Sequence, residues 1–291
     1  MSTRPPTHDQ LNEQFGFRVP RSYHRLIELA TRIGDAEYPW NAFDLLMLTN
    51  LDAVGREGCS YTAPGDFAIL GWTGGDSGHY GFLLDDEIDD GRERPIAVWY
   101  PDTTETQILA ADLCGLLSYL CALSAEDELD RASPFQKECD RLAAILQEEF
   151  EMMVPNSSAE ALEEAWQWRL RSGAVPTEDR IGVMLPPASI DRAYPAGLIW
   201  RKPGGWSWER LPADERRLDE AEKRLKRGEV GTALVIARDF RFHHWYDDWK
   251  TTKTYIRRTC DLLEAAYREL GRERAARTTR ERTEDAIANV L

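Results

Sequence analysis

Apolar residues fall into two regimes along the chain. After a polar leader, Val19-Pro20-Arg21-Ser22-Tyr23 opens a segment in which Leu26, Ile27, Leu29, Ala30 and Ile33 recur at helical spacing and stop at Gly34. That pattern predicts a helix over 21–33. Phe43 to Leu48 is apolar enough for a buried strand, and Gly55, Gly58, Pro64 and Gly65 punctuate the stretch after it. Three strand candidates come next, Phe67–Trp72, His79–Leu84 and Pro95–Tyr100, separated by Gly74-Gly75-Asp76-Ser77-Gly78 and by the acidic stretch Asp85–Arg94. They read as an antiparallel meander. Leu109, Leu113, Leu116, Leu117 and Leu120 then recur every three or four residues, which predicts an amphipathic helix packed on the sheet.

From about residue 133 the period is helical throughout, over Phe135–Glu151, Ala159–Arg171, Asp214–Arg227, Val230–Phe240 and Thr252–Leu270, with a last charged stretch to Leu291. Ile181–Leu185 and Gly197–Trp208 interrupt it, and their Pro and Gly content suggests an extended crossover or a small hairpin. Lys226-Arg227-Gly228-Glu229 precedes Ala233 as Glu269-Leu270-Gly271-Arg272 precedes Ala276, so both glycines and both alanines recur 43 residues apart. A glycine closing a helix–helix turn, with a small residue five positions on, is the signature of helical hairpins of tetratricopeptide type, although the spacing is not the 34-residue period of that family. The expected fold class is α+β: a helix-flanked antiparallel sheet over 1–130, followed by a mainly α-helical region over 131–291.

A length of 291 residues suits two domains, and 42% hydrophobic with 30% charged residues is ordinary globular composition. No run approaches the roughly 20 apolar residues of a membrane span, and Met1-Ser2-Thr3-Arg4-Pro5-Pro6 lacks a signal-peptide core, so a cytoplasmic location and no membrane partner are expected. Five cysteines without a CxxC pair argue for buried thiols, not a disulfide framework or zinc site. The net charge of −15 is uneven: residues 1–150 carry 11 Lys+Arg against 27 Asp+Glu, and the remainder 25 against 24. An acidic first half repels phosphate backbones, so a basic protein partner suits it better than nucleic acid.

Several strings imitate catalytic or ligand motifs. Gly75-Asp76-Ser77-Gly78 resembles the surroundings of a hydrolase serine, but only His8 and His24 precede Ser77, and the Asp-x-x-His of an esterase is absent, since Asp239-Phe-Arg-Phe-His243 has one residue too many. A serine esterase using Ser77 is therefore the weaker alternative to a glycine-rich hairpin turn. Asp85-Asp86-Glu87-Ile88-Asp89-Asp90-Gly91 puts either Ile88 at a ligand position or Asp90 at the glycine position of a calcium loop, so an acidic turn or a contact surface for a basic partner is the better reading. His243/Asp247 and His244/Asp248 stand at i,i+4 spacing without a recognisable third metal ligand. The aromatic set Phe240, Phe242, Trp245, Tyr246 and Trp249 reads as packing, and the glycines at 71–78 lack the Lys-Ser/Thr of a P-loop.

The order of features carries more than any one string. A helix introduced by Val19-Pro20-Arg21-Ser22-Tyr23, a strand, the run Gly71-Trp72-Thr73-Gly74-Gly75-Asp76-Ser77-Gly78-His79-Tyr80-Gly81-Phe82, the strand Pro95-Ile96-Ala97-Val98-Trp99-Tyr100, and an apolar helix through Tyr119-Leu120 resemble the SMI1/KNR4 (SUKH) superfamily over residues 12–124. The resemblance implies an α+β fold with a helix-flanked antiparallel sheet, no cofactor and no catalytic residues. Many bacterial members are immunity proteins that neutralise toxins, often nucleases, and others are adaptor-like regulators. On that basis the partner is a basic protein, with Asp76, Asp85, Asp86, Glu87, Asp89 and Asp90 as contact residues and Trp72 and Tyr80 mainly as packing in the matching turn and strand. The helical second half departs from the usual domain, which leaves open an adaptor whose helical half binds the partner.

Overall fold

The computed structural model describes residues 5–34, 41–49, 51, 63–73, 78–101, 106–126, 133–177, 180–190, 211–240 and 249–289. The fold is α+β: a four-stranded antiparallel sheet in the first half and a mostly helical remainder. Two compact units share the chain. The first comprises Met1–Glu57, Phe67–Leu84 and Ile88–Arg169, and the second Gly58–Asp66, Asp85–Glu87 and Leu170–Leu291.

In the first unit the polar leader contains a helix. Helix α1 (His8–Phe15) starts at a capping box: the Thr7 side chain accepts from the Gln10 amide at 3.2 Å, and the Thr7 amide donates to the Gln10 side chain at 2.8 Å. Two orphan donors are satisfied reciprocally. Leu11 and Phe15, one turn apart, are its buried stripe, too narrow a stripe to register as a period in the sequence. Helix α2 (Arg21–Ile33) comes next, with Tyr23, Leu26, Ile27, Leu29 and Ala30 buried. The Tyr23 hydroxyl lies 3.0 Å from the Leu51 carbonyl and 2.8 Å from that of Leu70, so a polar tip in the core is hydrogen-bonded.

The run Phe43–Leu48 is not a strand. Asp44–Leu46 form one 3-10 turn, ended by Met47 at φ +56°, and the chain folds back so that Phe43 bridges Leu48. The apolar run is explained by Phe43, Leu46 and Leu48, which are all fully buried; a turn that points side chains inward on several sides needs no alternation. Strands β1 (Phe67–Trp72), β2 (His79–Leu83), β3 (Ile96–Trp99) and β4 (Thr106–Ala110) pair consecutively as an antiparallel meander. Trp72 lies opposite His79, Tyr80 opposite Val98, and Trp99 opposite Thr106.

Strand β4 was not expected, and Leu109, the first residue of the leucine series in the sequence, belongs to it. The helix proper, α3 (Leu113–Glu126), begins only after Asp112, whose carboxylate accepts from the Gly115 amide at 2.8 Å. Leu113, Leu116, Leu117 and Leu120 enter one core with α1, α2 and the sheet. Fully burying each such side chain contributes roughly 1.5–3 kcal/mol. Helices α4 (Pro134–Phe150) and α5 (Ser158–Arg171) complete the unit, α4 capped by Ser133 accepting from the Gln136 amide at 3.1 Å. Glu149 on α4 pairs with Arg25 at 2.9 Å and Arg32 at 2.5 Å on α2.

The second unit contains the small hairpin allowed for at Ile181–Leu185: β6 (Val183–Met184) pairs with β5 (Ala174–Val175). The companion interruption at 197–208 lies outside the described residues. Among the described residues four helices follow in this unit, α6 (Leu211–Lys226), α7 (Val230–Phe240), α8 (Trp249–Glu269) and α9 (Glu273–Asn289). They form the two helical hairpins that the 43-residue repeat suggested. Gly228 and Gly271 both adopt left-handed conformations, at φ +79° and +71°. The two turns match bond for bond: the Gly228, Glu229 and Ala233 amides donate to the Leu225, Arg224 and Glu229 carbonyls, as those of Gly271, Arg272 and Ala276 donate to Arg268, Tyr267 and Arg272. Each is a Schellman turn, in which a left-handed C′ residue satisfies the last carbonyls of the helix. Ala233 and Ala276 are almost fully buried, as a close crossing requires. No helix among the described residues is long and apolar enough to cross a membrane.

Candidate functional site

The acidic connection between β2 and β3 is the surface that the sequence singled out, and the fold gives its carboxylates separate tasks. Asp85–Glu87 belong to the second unit, where Glu87 Oε1 accepts from the Arg274 amide at 2.9 Å. Arg274 is the second residue of α9, so Glu87 caps that helix from 187 positions away and brings a negative charge to its positive end. Asp85 and Asp86 beside it are half-buried.

Ile88–Asp90 belong to the first unit and are exposed, Ile88 at 52%. Asp89 Oδ1 accepts from the Arg18 amide, and Asp90 Oδ1 accepts from the Arg92 amide at 3.1 Å, closing a local turn. Arg94 turns inward, 2% exposed, donates to the Ile88 carbonyl, and places its guanidinium 6.0 Å from the Phe17 ring centre. Ser22 Oγ donates to Glu93 at 2.9 Å. Burial pushes the Glu93 carboxyl above the usual carboxylate range, against the bond from Ser22, and Asp112 adds to the rise. Exposed charge is thus held on a loop fastened to the segment entering α2. Its anchors, Arg18, Ser22 and Arg94, were not among the sequence candidates, because they act through a backbone amide, a hydroxyl and an inward-pointing cation.

Trp72 and Tyr80 sit on adjacent strands. Trp72 packs on His79 with ring centres 4.8 Å apart, and His79 on Trp99 at 5.2 Å. Tyr80, 3% exposed, is part of the core. Asp76 and Ser77 lie outside the described residues, as do His243, His244, Asp247 and Asp248. Within the aromatic set, Phe240 is buried against Tyr255 at 6.2 Å, and Phe242, Trp245 and Tyr246 lie outside the described residues. Among the described residues no group of three or more His, Cys, Asp or Glu side chains is arranged to hold a metal ion.

The second unit has a charged cleft of its own between α8 and α9, of about 570 Å³. Glu264, 8% exposed, pairs there with Arg268 at 2.6 Å and with Arg280. Burial, reinforced by Glu264, raises the neighbouring Asp261 carboxyl.

Compared with protein-family models and with curated proteins, the chain matches neither a family nor a single curated relative.

Proposed function

We propose that the chain is a non-catalytic protein-binding protein of SMI1/KNR4 (SUKH) type, an immunity protein that neutralises a basic toxin such as a nuclease from its acidic first half. The observation that carries this reading is the order of elements in the first unit: α2, then β1 to β4 as a meander, then α3 closing over the sheet. The resemblance over residues 12–124 implies a helix-flanked antiparallel sheet, and β4 is a strand beyond those it named. The same stretch holds the acidic excess and displays Asp89 and Asp90 on an anchored loop. A basic nuclease groove evolved for phosphate meets such a surface favourably, and long-range attraction speeds encounter.

The reading predicts that a basic toxin encoded beside this chain is bound and silenced on co-expression, with an association rate that falls steeply as salt rises. Asp89→Lys combined with Asp90→Lys lowers that rate at least tenfold. A rate indifferent to salt and to both reversals sinks the acidic-surface reading, and survival of toxin activity on co-expression sinks the immunity reading. A second reading, an adaptor that binds its partner through the helical half, draws support from the two matched hairpins α6–α7 and α8–α9, because such hairpins commonly stack into binding scaffolds. Partner binding unaffected by the reversals but abolished by changes on α6–α9 favours it.

A further inference from the structure

A second surface of the first unit is apolar, and nothing in the sequence marked it. The 3-10 turn Asp44–Leu46, the C-terminal half of α3 and the first turn of α4 enclose a groove of about 480 Å³, inside the roughly 300–1,000 Å³ range of ligand-binding clefts. Leu45, Leu46, Leu120 and Leu123 form its floor and walls, and Met47 and Phe135 stand at its rim, 40% and 43% exposed. These are two of the four large hydrophobic side chains exposed among the described residues.

Met47 is held there at a conformational cost. Its φ of +56° is left-handed, a region that strains a residue with a Cβ but not glycine. Helix-ending turns usually place Gly or Asn at such a position. Here the strained position instead projects a long, polarizable, adaptable side chain over an apolar groove, and residues held in such strain concentrate at binding sites.

Two carboxylates and Ser124 complete the lining. Asp44 lines the groove on one side and Glu126 on another. Glu126 is fixed by Ser158, whose amide and hydroxyl both donate to it, at 2.5 and 2.7 Å, and these bonds hold its carboxyl below the usual range, so it is ionised. Asp44 is exposed to solvent; partial burial still raises its carboxyl, against a bond from Thr49, and a cation beside it favours the charged form.

We propose that this groove docks one turn of a basic amphipathic helix from the protein partner, with apolar side chains lodged between Met47 and Phe135 and a Lys or Arg paired with Asp44 and Glu126. The proposal deepens the protein-binding reading and rests on it for the identity of the partner, but it names a different contact from the acidic loop. Charge complementarity chooses the occupant: the apolar floor selects a helical face and the two carboxylates select its basic flank.

The test uses the full chain and a fluorescein-labelled 14-residue Leu/Lys amphipathic helix, with a Ser/Lys peptide of equal charge as control, read by anisotropy. The Leu/Lys peptide binds at least tenfold more tightly than the control. Phe135→Ser and Met47→Gly each weaken it about tenfold, as the loss of an anchor side chain does, and Asp44→Asn weakens it about threefold and flattens its salt dependence. Met47→Gly relieves the left-handed turn and so folds at least as well as the parent, which separates binding from stability. Unchanged affinity in Phe135→Ser and Met47→Gly overturns the proposal. So does a sedimentation result in which the chain is a dimer that Phe135→Ser dissociates, because a second copy then covers the groove. Asp89→Lys with Asp90→Lys weakens the Leu/Lys and Ser/Lys peptides alike and leaves the ratio of their affinities unchanged, whereas loss of the groove contact lowers that ratio, so failure of the acidic-loop reading and failure of the groove are read separately.

Discussion

Arg238 on α7 and Asp66 form an ion pair of 2.9 Å inside the second unit, with side-chain exposures of 0% and 2%. Two unit charges at that distance attract by roughly 6 kcal/mol at an effective dielectric constant near 20. Removing both from water costs several kcal/mol per ion, so the intact pair is close to neutral in net stability. Breaking it is different. Asp66→Ala leaves a guanidinium in a dry site without its carboxylate, which costs about 3–5 kcal/mol. For a unit of this size that lowers the melting midpoint by roughly 10–20 °C. The double variant Asp66→Ala/Arg238→Met removes the guanidinium as well and recovers at least half of the loss, so that it costs less than the two single variants together in a double-mutant cycle. Urea unfolding followed by circular dichroism at pH 7 measures all four proteins. If Asp66→Ala costs less than about 1 kcal/mol, or the double variant is no better than the single one, Arg238 is solvated in solution and the buried-pair argument fails.

The geometry sets three further outcomes. Glu87→Ala removes the carboxylate cap of α9 and costs about 1 kcal/mol, whereas Glu87→Gln keeps an acceptor for the Arg274 amide and costs less; urea midpoints distinguish them. Gly228→Ala and Gly271→Ala each force a Cβ into a left-handed turn with nothing else within 4 Å, so both cost about 1 kcal/mol, and equally; unequal losses would mean that the two turns differ in solution. Bonds from Arg25 and Arg32 hold the Glu149 carboxyl below its usual 4.5. Its folded value is thus lower than its unfolded one, so its contribution is complete above about pH 4.5 and is lost as pH falls through the folded value. The gap in stability between wild type and Glu149→Gln therefore closes on acidification, and a gap that widened would refute the pairing.

Much of the first unit was legible because its signals are local. Helix α2 and strands β1 to β3 announce themselves by period and by the glycines between them. The elements that escaped did so for identifiable reasons. Helix α1 carries only Leu11 and Phe15 as an apolar stripe, so its evidence was the capping box at Thr7 and Gln10. Strand β4 contains Leu109, which happens to stand four residues before Leu113, and the helical series absorbed it; the true helix start was written in Asp112. Phe43–Leu48 is apolar because its turn is enclosed, a fact that depends on what surrounds it. At the candidate site, composition located the acidic loop, but it could not distribute its work. That Glu87 caps a helix while Asp89 holds the Arg18 amide depends on partners far away in sequence. The groove at Met47 and Phe135 was silent for the same reason, since three separate segments build it.

The pairing of Asp66 with Arg238 also bears on how the protein comes off the ribosome. Asp66 waits for a partner 172 residues downstream, Glu87 for one 187 downstream, and the Pro64 carbonyl for Arg282, 218 downstream. At synthesis rates of roughly 5–20 residues per second, Pro64 spends about 10–45 s in the nascent chain before Arg282 is made. Such long-range closure slows folding, so the second unit becomes native only once α9 has been synthesised, however early the meander forms. A stop codon before Arg282 would leave the 63–66 segment without its clasp and expose the nascent protein to proteolysis at a point more than two hundred residues from the lesion.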